Sequence, residues 1–323
     1  QESFISHYRQ IIKSTRECIS STVIIGGSGF SIYPKLLFET LEPDFAIHGE
    51  GEMSLHKLLT AIENKHDYST IEGLLYHDQD RIVFNERKSF FNTPMLSFDN
   101  GMLDYYWQNS GMLNIQTKRG CPYNCIYCTY PLIEGSRVRT IDPERIVNTL
   151  TELKKNSNIN YVFFTDSVFN INNSFNYKLA EKLIEADLDL KWGGYFNFAN
   201  IDIKLLEKLK QAGLKHIEFG TESLSDQMLL NYRKPFTVAD ILNISAVCND
   251  LGIDFAHFLI LGGYGETELT LNETFENCKK IDRTVFFPFI GMRIYPGTRL
   301  HEIALREKTI EPDDPLLEPV YYV

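Results

Sequence analysis

Between residues 113 and 307 the chain alternates six times between a short apolar run and a longer stretch with helical spacing, and no other feature restricts its fold as much. The apolar runs occupy 113–117, 161–165, 190–196, 214–219, 253–261 and 285–293. Helical stretches follow them. One starts at Pro143 behind the capping residue Asp142, and others cover 174–186, 203–212 closed by Gly213, 225–232, 238–251 ending at Gly252, 269–281 and 298–307. Strands joined through helices run parallel, so six such pairs predict an α/β fold with a curved parallel sheet and helices outside, a partial (β/α)6 TIM-like barrel. In folds of this kind the loops after the carboxyl ends of the strands carry the chemistry.

The first of those loops holds Cys121, Cys125 and Cys128, thiols spaced four and three apart. Soft thiolates clustered on one loop select zinc or an iron–sulfur centre over hard cations. A closed zinc site needs a fourth protein ligand. None is offered by spacing: Cys18, Cys248 and Cys278 stand alone, and no two of the eight histidines fall at ligand spacing. Three donors without a fourth imply a metal centre with an open position. Lys118, Arg119, Arg137 and Arg139 flank the loop with Glu134 as the only acid among them, a basic island in an acidic chain.

Residues 1–70 follow a related pattern in miniature: a helix over 4–18, a strand over 22–25, the glycine turn Gly26-Gly27-Ser28-Gly29, a helix over 34–41, a strand over 45–48 and a helix over 54–64. Two strands are too few to stand alone, so this stretch reads as the C-terminal part of a domain that begins upstream of Gln1. Gly26–Gly29 is not a dinucleotide fingerprint, because Ile32 takes the place of the third glycine. Residues 71–111 read as a linker rich in aromatic and turn residues, and 308–323 as a C-terminal tail.

With 32 basic and 43 acidic residues the formal charge is -11, which disfavours nucleic acid and anionic membrane surfaces as general partners. No apolar stretch reaches the ~18 residues of a spanning helix. Six cysteines in 323 residues, three of them crowded together, fit a reducing, cytoplasmic setting.

The Cys121-x3-Cys125-x2-Cys128 motif, with aromatic Tyr127 before its last cysteine and on the first loop of the array, resembles the radical S-adenosylmethionine (radical SAM) enzymes over roughly 112–307. The resemblance implies that Cys121, Cys125 and Cys128 hold three irons of a [4Fe-4S] cluster while S-adenosylmethionine chelates the fourth and is cleaved to a 5'-deoxyadenosyl radical. It implies S-adenosylmethionine contacts from Asp166 after the second strand, Asn197 after the third, Glu222 after the fourth as a ribose ligand, Gly262 and Gly263 after the fifth beside the adenine, and Arg293 at the sixth. Tyr127 and Arg137, the latter to the carboxylate, complete that set. The opening segment resembles the end of the Rossmann-like cobalamin-binding domain that precedes many such enzymes, with Gly26, Gly27, Ser28 and Gly29 near the cobalamin. Within that group the chain looks like a lipid-biosynthesis, ladderane-type subgroup. These likenesses imply a methyltransferase acting on an unactivated carbon of a lipid-like or other small apolar substrate, reduced by flavodoxin or ferredoxin. The rival readings are radical methylthiolation of tRNA and a non-catalytic iron–sulfur or zinc protein.

Overall fold

The computed structural model describes residues 4–90, 100–157 and 159–323, and the chain divides into two compact units. The first comprises residues 1–91, 129–135 and 293–320, the second 92–128, 136–292 and 321–323.

In the first unit α1 (Phe4–Cys18) leads to β1 (Ile24–Ile25), α2 (Ser28–Ile32), α3 (Pro34–Leu41), β2 (Phe45–Ile47) and α4 (Glu52–Asn64). β1 and β2 pair in parallel, as the sequence suggests. The stretch expected to be a linker contributes instead a hairpin, β3 (Leu74–Asp78) and β4 (Arg81–Phe84), which adds two antiparallel strands to that sheet. The reason is local. Leu74 and Leu75 are fully buried, one in each of the two small cores on either side of the sheet, and Gln79 takes the positive φ of 54° that a two-residue hairpin turn demands. The middle of the expected linker, residues 91–99, lies outside the described residues.

In the second unit α5 (Asn100–Ser110) precedes β5 (Leu113–Ile115) and the two-residue strand β6 (Lys118–Arg119). After the short helix α6 (Tyr130–Ile133), which belongs to the first unit, β7 (Arg139–Thr140) pairs back on β6. The repeat then runs α7 (Pro143–Asn156), β8 (Tyr161–Phe164), α8 (Asn173–Ala186), β9 (Lys191–Phe196), α9 (Ile203–Gln211), β10 (Leu214–Glu222), α10 (Asp226–Asn231), α11 (Val238–Leu251), β11 (Asp254–Leu261), α12 (Glu268–Cys278) and β12 (Val285–Ile290). The six strands β5, β8, β9, β10, β11 and β12 lie side by side in chain order, all parallel, so the expected barrel-type sheet is present. Asp142 caps α7 by accepting from the amides of Glu144 and Arg145. Pro288 is tolerated because β12 is an edge strand.

The last repeat departs from expectation. Gly291, at φ 79°, ends β12, and α13 (Arg299–Arg306) packs within the first unit rather than closing the barrel. Leu300, Ile303 and Ala304 are its buried face.

The barrel core is aromatic on its helix side, where Phe164, Phe169, Trp192, Phe196 and Phe219 are almost wholly buried. His257 sits in this core, stacked 5.1 Å from Phe286 and 5.7 Å from Phe219, with Nδ1 2.7 Å from the Thr221 hydroxyl. Burial disfavours its charged form and drives its pKa down to about 3. The unfolded chain therefore binds a proton here below its ordinary value of 6.5 that the folded chain refuses, and stability falls as pH falls between those limits. We expect His257 to contribute a slope of up to about 1.4 kcal/mol per pH unit below pH ~6.5 and none above. Urea unfolding of the protein and of His257→Gln across that range checks this: the variant should lose the slope, and parallel curves would remove His257 as its source.

Candidate active site at the cysteine loop

The cysteine loop is anchored at both ends before any cysteine is reached. The pairing of β6 with β7 and the bond from Ile141 N to Thr117 O (2.9 Å) draw its two stems together. Beneath them lies Asp166, fully buried at the end of β8. Its Oδ1 accepts from the amides of Thr117 (2.6 Å) and Lys118 (3.0 Å), and its Oδ2 from the Thr117 hydroxyl and the Lys118 ammonium (2.7 Å). Lys118 also donates to Phe169 O at 3.0 Å and lies 4.1 Å from the Phe169 ring centre. Burial depresses the Lys118 pKa while Asp166 opposes that shift.

Two expectations change here. Lys118, read from the sequence as part of a basic island around the loop, is the cation of an internal ion pair. Asp166, expected to meet the amino group of S-adenosylmethionine, already has four protein donors on its two oxygens, so its geometry is that of a loop anchor.

Cys121 is buried and Cys125 and Cys128 half-buried on the loop. Burial pushes the Cys121 and Cys125 thiols up, opposed at Cys121 by the nearby Tyr123 amide and Ser167 hydroxyl and at Cys125 by the charge of Lys234. Among the described residues no three His, Cys, Asp or Glu side chains converge closely enough to clasp a single metal ion.

Against the loop stands a polar triad. The Tyr127 hydroxyl donates to Glu222 Oε1 at 2.6 Å, and the Lys234 ammonium donates to the same oxygen at 2.8 Å and to the Tyr127 hydroxyl at 3.1 Å. Lys234 and Glu222 expose only 7% and 12% of their side chains, so the pair is held largely out of water. Burial, then the Glu222 charge, raises the Tyr127 pKa; for Lys234 burial is the largest influence and lowers the pKa, but the charges of Glu222, Cys125 and Cys128 and the bond to Glu222 together raise it. Both bonds fall on Oε1, so Oε2 has no protein donor among the described residues. Glu222 also adopts φ 63° at a bulge where the β10–β11 register shifts, a costly backbone for a non-glycine residue. Lys234 escaped the sequence reading. The only signal was a basic residue twelve positions after Glu222, and nothing in its spacing to the cysteines marks it.

The other expected residues divide. Asn197 is buried and interlocked with Asn170: the Asn197 amide donates to Asn170 Oδ1 at 3.0 Å and Asn170 Nδ2 donates to Asn197 O at 2.9 Å. Gly263 is demanded by Tyr232, whose Cζ would lie 2.7 Å from any Cβ there, which gives that glycine a packing reason. Gly262 follows β11 at φ 78° and donates its amide to Glu266. Arg137 is exposed with no bond to the described protein, and Arg293 lies in the first unit, 4.6 Å over the Tyr295 ring. Gly26, Gly27, Ser28 and Gly29 end β1 and begin α2, also in the first unit. Gly27 has φ 95°, and neither it nor Gly29 has an atom within 4 Å of where a Cβ would stand.

Residues 115–278 match the family described as the Radical SAM superfamily. The chain belongs to the radical SAM superfamily. The match begins at the last residue of β5 and takes in all three thiols, Tyr127, Glu222 and Lys234. The cofactors of that superfamily are a [4Fe-4S] cluster and S-adenosylmethionine. The chain is similar to an uncharacterized methyltransferase of Pyrococcus horikoshii, at 26% identity over 88% of this chain and 63% of that protein. It is also similar to the anaerobic magnesium-protoporphyrin IX monomethyl ester cyclase of Rubrivivax gelatinosus, at 28% identity over 79% of this chain and 48% of that one. The chain thus spans about half to three fifths of the length of these relatives. In fold it resembles the radical S-adenosylmethionine methyltransferase TsrM of Kitasatospora setae, with TM-score 0.87 and 24% identity over 94% of this chain and 61% of that one. No helix among the described residues is long and apolar enough to cross a membrane.

Removing the charge of Asp166 leaves the Lys118 ammonium buried without its counter-ion, which costs about 3–5 kcal/mol. We expect Asp166→Asn to lose that much in chemical denaturation. A loss below about 1 kcal/mol would mean that this pair does not hold the loop.

Proposed function

We propose that the protein is a cobalamin-dependent radical SAM methyltransferase acting on an unactivated carbon. The observation that carries the radical SAM part is a single constellation: three thiols on one anchored loop, with Tyr127, Glu222 and Lys234 locked together beside it. Cys121, Cys125 and Cys128 would hold three irons. When bound, the reduced cluster and S-adenosylmethionine supply a 5'-deoxyadenosyl radical. The chain's own residues bind and orient. Oε2 of Glu222 offers an acceptor for a ribose hydroxyl, while Lys234 and Tyr127 fix the carboxylate that bears it. Lys234, a buried cation beside the cysteine loop, suits the methionine carboxylate better than exposed Arg137. Asp166 holds the stems of the loop that carries the thiols.

Cobalamin is supported by two things. The solved TsrM that carries cobalamin and a [4Fe-4S] cluster shares this fold, with TM-score 0.85, and a second enzyme, OxsB, is described with aqua-cobalamin and S-adenosylmethionine bound. The open backbone at Gly27 and Gly29 also leaves room for close approach of a large planar group, the part expected of Gly26–Gly29. Methyl transfer is supported by the methyltransferases among the relatives. A small apolar substrate and a flavodoxin-like or ferredoxin-like reductant complete the reading, and no relative named above bears a lipid in its name. tRNA methylthiolation has less support from a chain of charge -11.

Anaerobic reconstitution tests this reading. We expect about four irons per chain, a reduced-cluster spectrum altered by S-adenosylmethionine, and 5'-deoxyadenosine on reduction. Cys121→Ala, Cys125→Ala and Cys128→Ala should each lose the cluster, and Glu222→Gln should weaken S-adenosylmethionine binding about tenfold, the equivalent of one good hydrogen bond. Zinc, or no metal, at the three thiols would overturn it.

A further inference from the structure

Side chains alternate along a strand, so the residues that pack the helix side of the barrel sheet leave their neighbours on its inner face. Register places Phe163 beside Gly193, Gly193 beside His216, and Tyr195 beside Glu218, with all of them on that face. Three polar groups there form a chain across β8, β9 and β10. The Tyr161 hydroxyl lies 2.8 Å from His216 Nδ1, and His216 Nε2 lies 3.6 Å from Glu218 Oε1. Gly193 makes this meeting possible, because a Cβ at that position would sit 2.6 Å from His216 Cε1.

Glu218 is the unsettled member. The imidazole at 3.6 Å is beyond hydrogen-bond range, and no other described residue donates to the carboxylate, whose side chain is 26% exposed. Its charge raises the pKa of both Tyr161 and Tyr195, second to burial in each case.

Aromatic rings share the face with Ala256, Ile260 and Val285. Phe163 and Tyr195 meet edge to face at 4.9 Å. On the neighbouring strands Phe258 stacks on Phe287 at 5.3 Å, and Phe287 and Phe289 are 45% and 56% exposed. A carboxylate that accepts no hydrogen bond from the described residues, on one face with the exposed rings of Tyr195, Phe287 and Phe289, is a recognition surface for an organic cation. The face also leads directly to the cofactor residues. Gly220 separates Glu218 from Glu222 on β10, and a Cβ at Gly220 would lie 3.3 Å from Glu222 Oε1 and 3.9 Å from Lys234 Nζ. At ~3.3 Å per residue, Glu218 is roughly 13 Å from Glu222 along the strand.

We propose that this inner face is the substrate wall, and that Glu218, beside the hydrogen-bonded pair of Tyr161 and His216, receives a protonated nitrogen on a substrate with an aromatic or apolar body. The assignment rests on the radical SAM reading for its meaning as a substrate site, but its test does not need turnover.

Phenethylamine and its neutral isostere phenethyl alcohol serve as probes, titrated into the reconstituted chain and followed by calorimetry and saturation-transfer NMR. The amine should bind about tenfold more tightly than the alcohol. Glu218→Gln should bring the amine down to the level of the alcohol, and Phe287→Ala should weaken both. Equal binding of the two probes, an amine affinity unmoved by Glu218→Gln, or no binding of either would overturn the proposal. Iron content and the spectral response to S-adenosylmethionine, read on the same samples, report separately on the cofactor assignment, so a preparation with an intact cluster and no probe binding sinks only the substrate wall.

Discussion

Burying a lysine ammonium and an aspartate carboxylate together is costly, and the second unit does it at the one place where a loop must hold still. Lys118 and Asp166 are 1% and 0% exposed, and the aspartate spends its remaining lone pairs on two backbone amides and a hydroxyl at the start of the cysteine loop. Such a pair adds little net stability against an apolar replacement, because desolvation consumes most of the Coulomb gain. What it supplies is geometry. A carboxylate with four donors has one orientation, and so have the stems of the loop it holds.

The same logic recurs at the strand ends. Tyr127, Glu222 and Lys234 form a closed set of short bonds around one carboxylate oxygen, and a bulge in β10 together with a positive φ at Glu222 aims that carboxylate. Backbone strain of this kind persists only where the surroundings over-determine it. Loop and strand end are thus both fixed by hydrogen-bonded charge, while the aromatic core on the helix side provides the rigid support from which they project. Pre-placed groups of this sort lower the cost of binding, since little remains to be ordered when a cofactor arrives.

Along β10 the parity of the strand sorts one sequence into two environments. Ile217 and Phe219 pack the core, while His216, Glu218 and Gly220 lie on the opposite, inner face. A segment five residues long in sequence becomes, through the pleat, a continuous wall from Glu218 to Glu222. Gly193 and Gly220 are the quiet elements of that wall, leaving space where any side chain would separate the groups on either side.

Much of this was legible in the amino-acid order. Apolar runs with helical stretches between them are enough to dictate a parallel sheet in chain order, because crossover length and handedness leave few other solutions. Three thiols at spacings of four and three are enough to dictate an iron–sulfur or zinc centre on the loop after β5. Tyr127 and Glu222 were found because each adjoins a recognisable landmark, a cysteine or a strand end. Tertiary structure alone decided the rest. Whether Asp166 faces a ligand or an internal lysine depends on which donors arrive from 49 residues away in the chain, which no local pattern encodes. Lys234 joins the site because a turn after α10 returns it to β10. The hairpin β3–β4 and the placement of α13 depend likewise on which partially buried surfaces still lacked a partner. Local sequence specifies periodicity and turn chemistry; partner choice among distant segments is a global contest for buried area and hydrogen bonds, and only the folded chain resolves it.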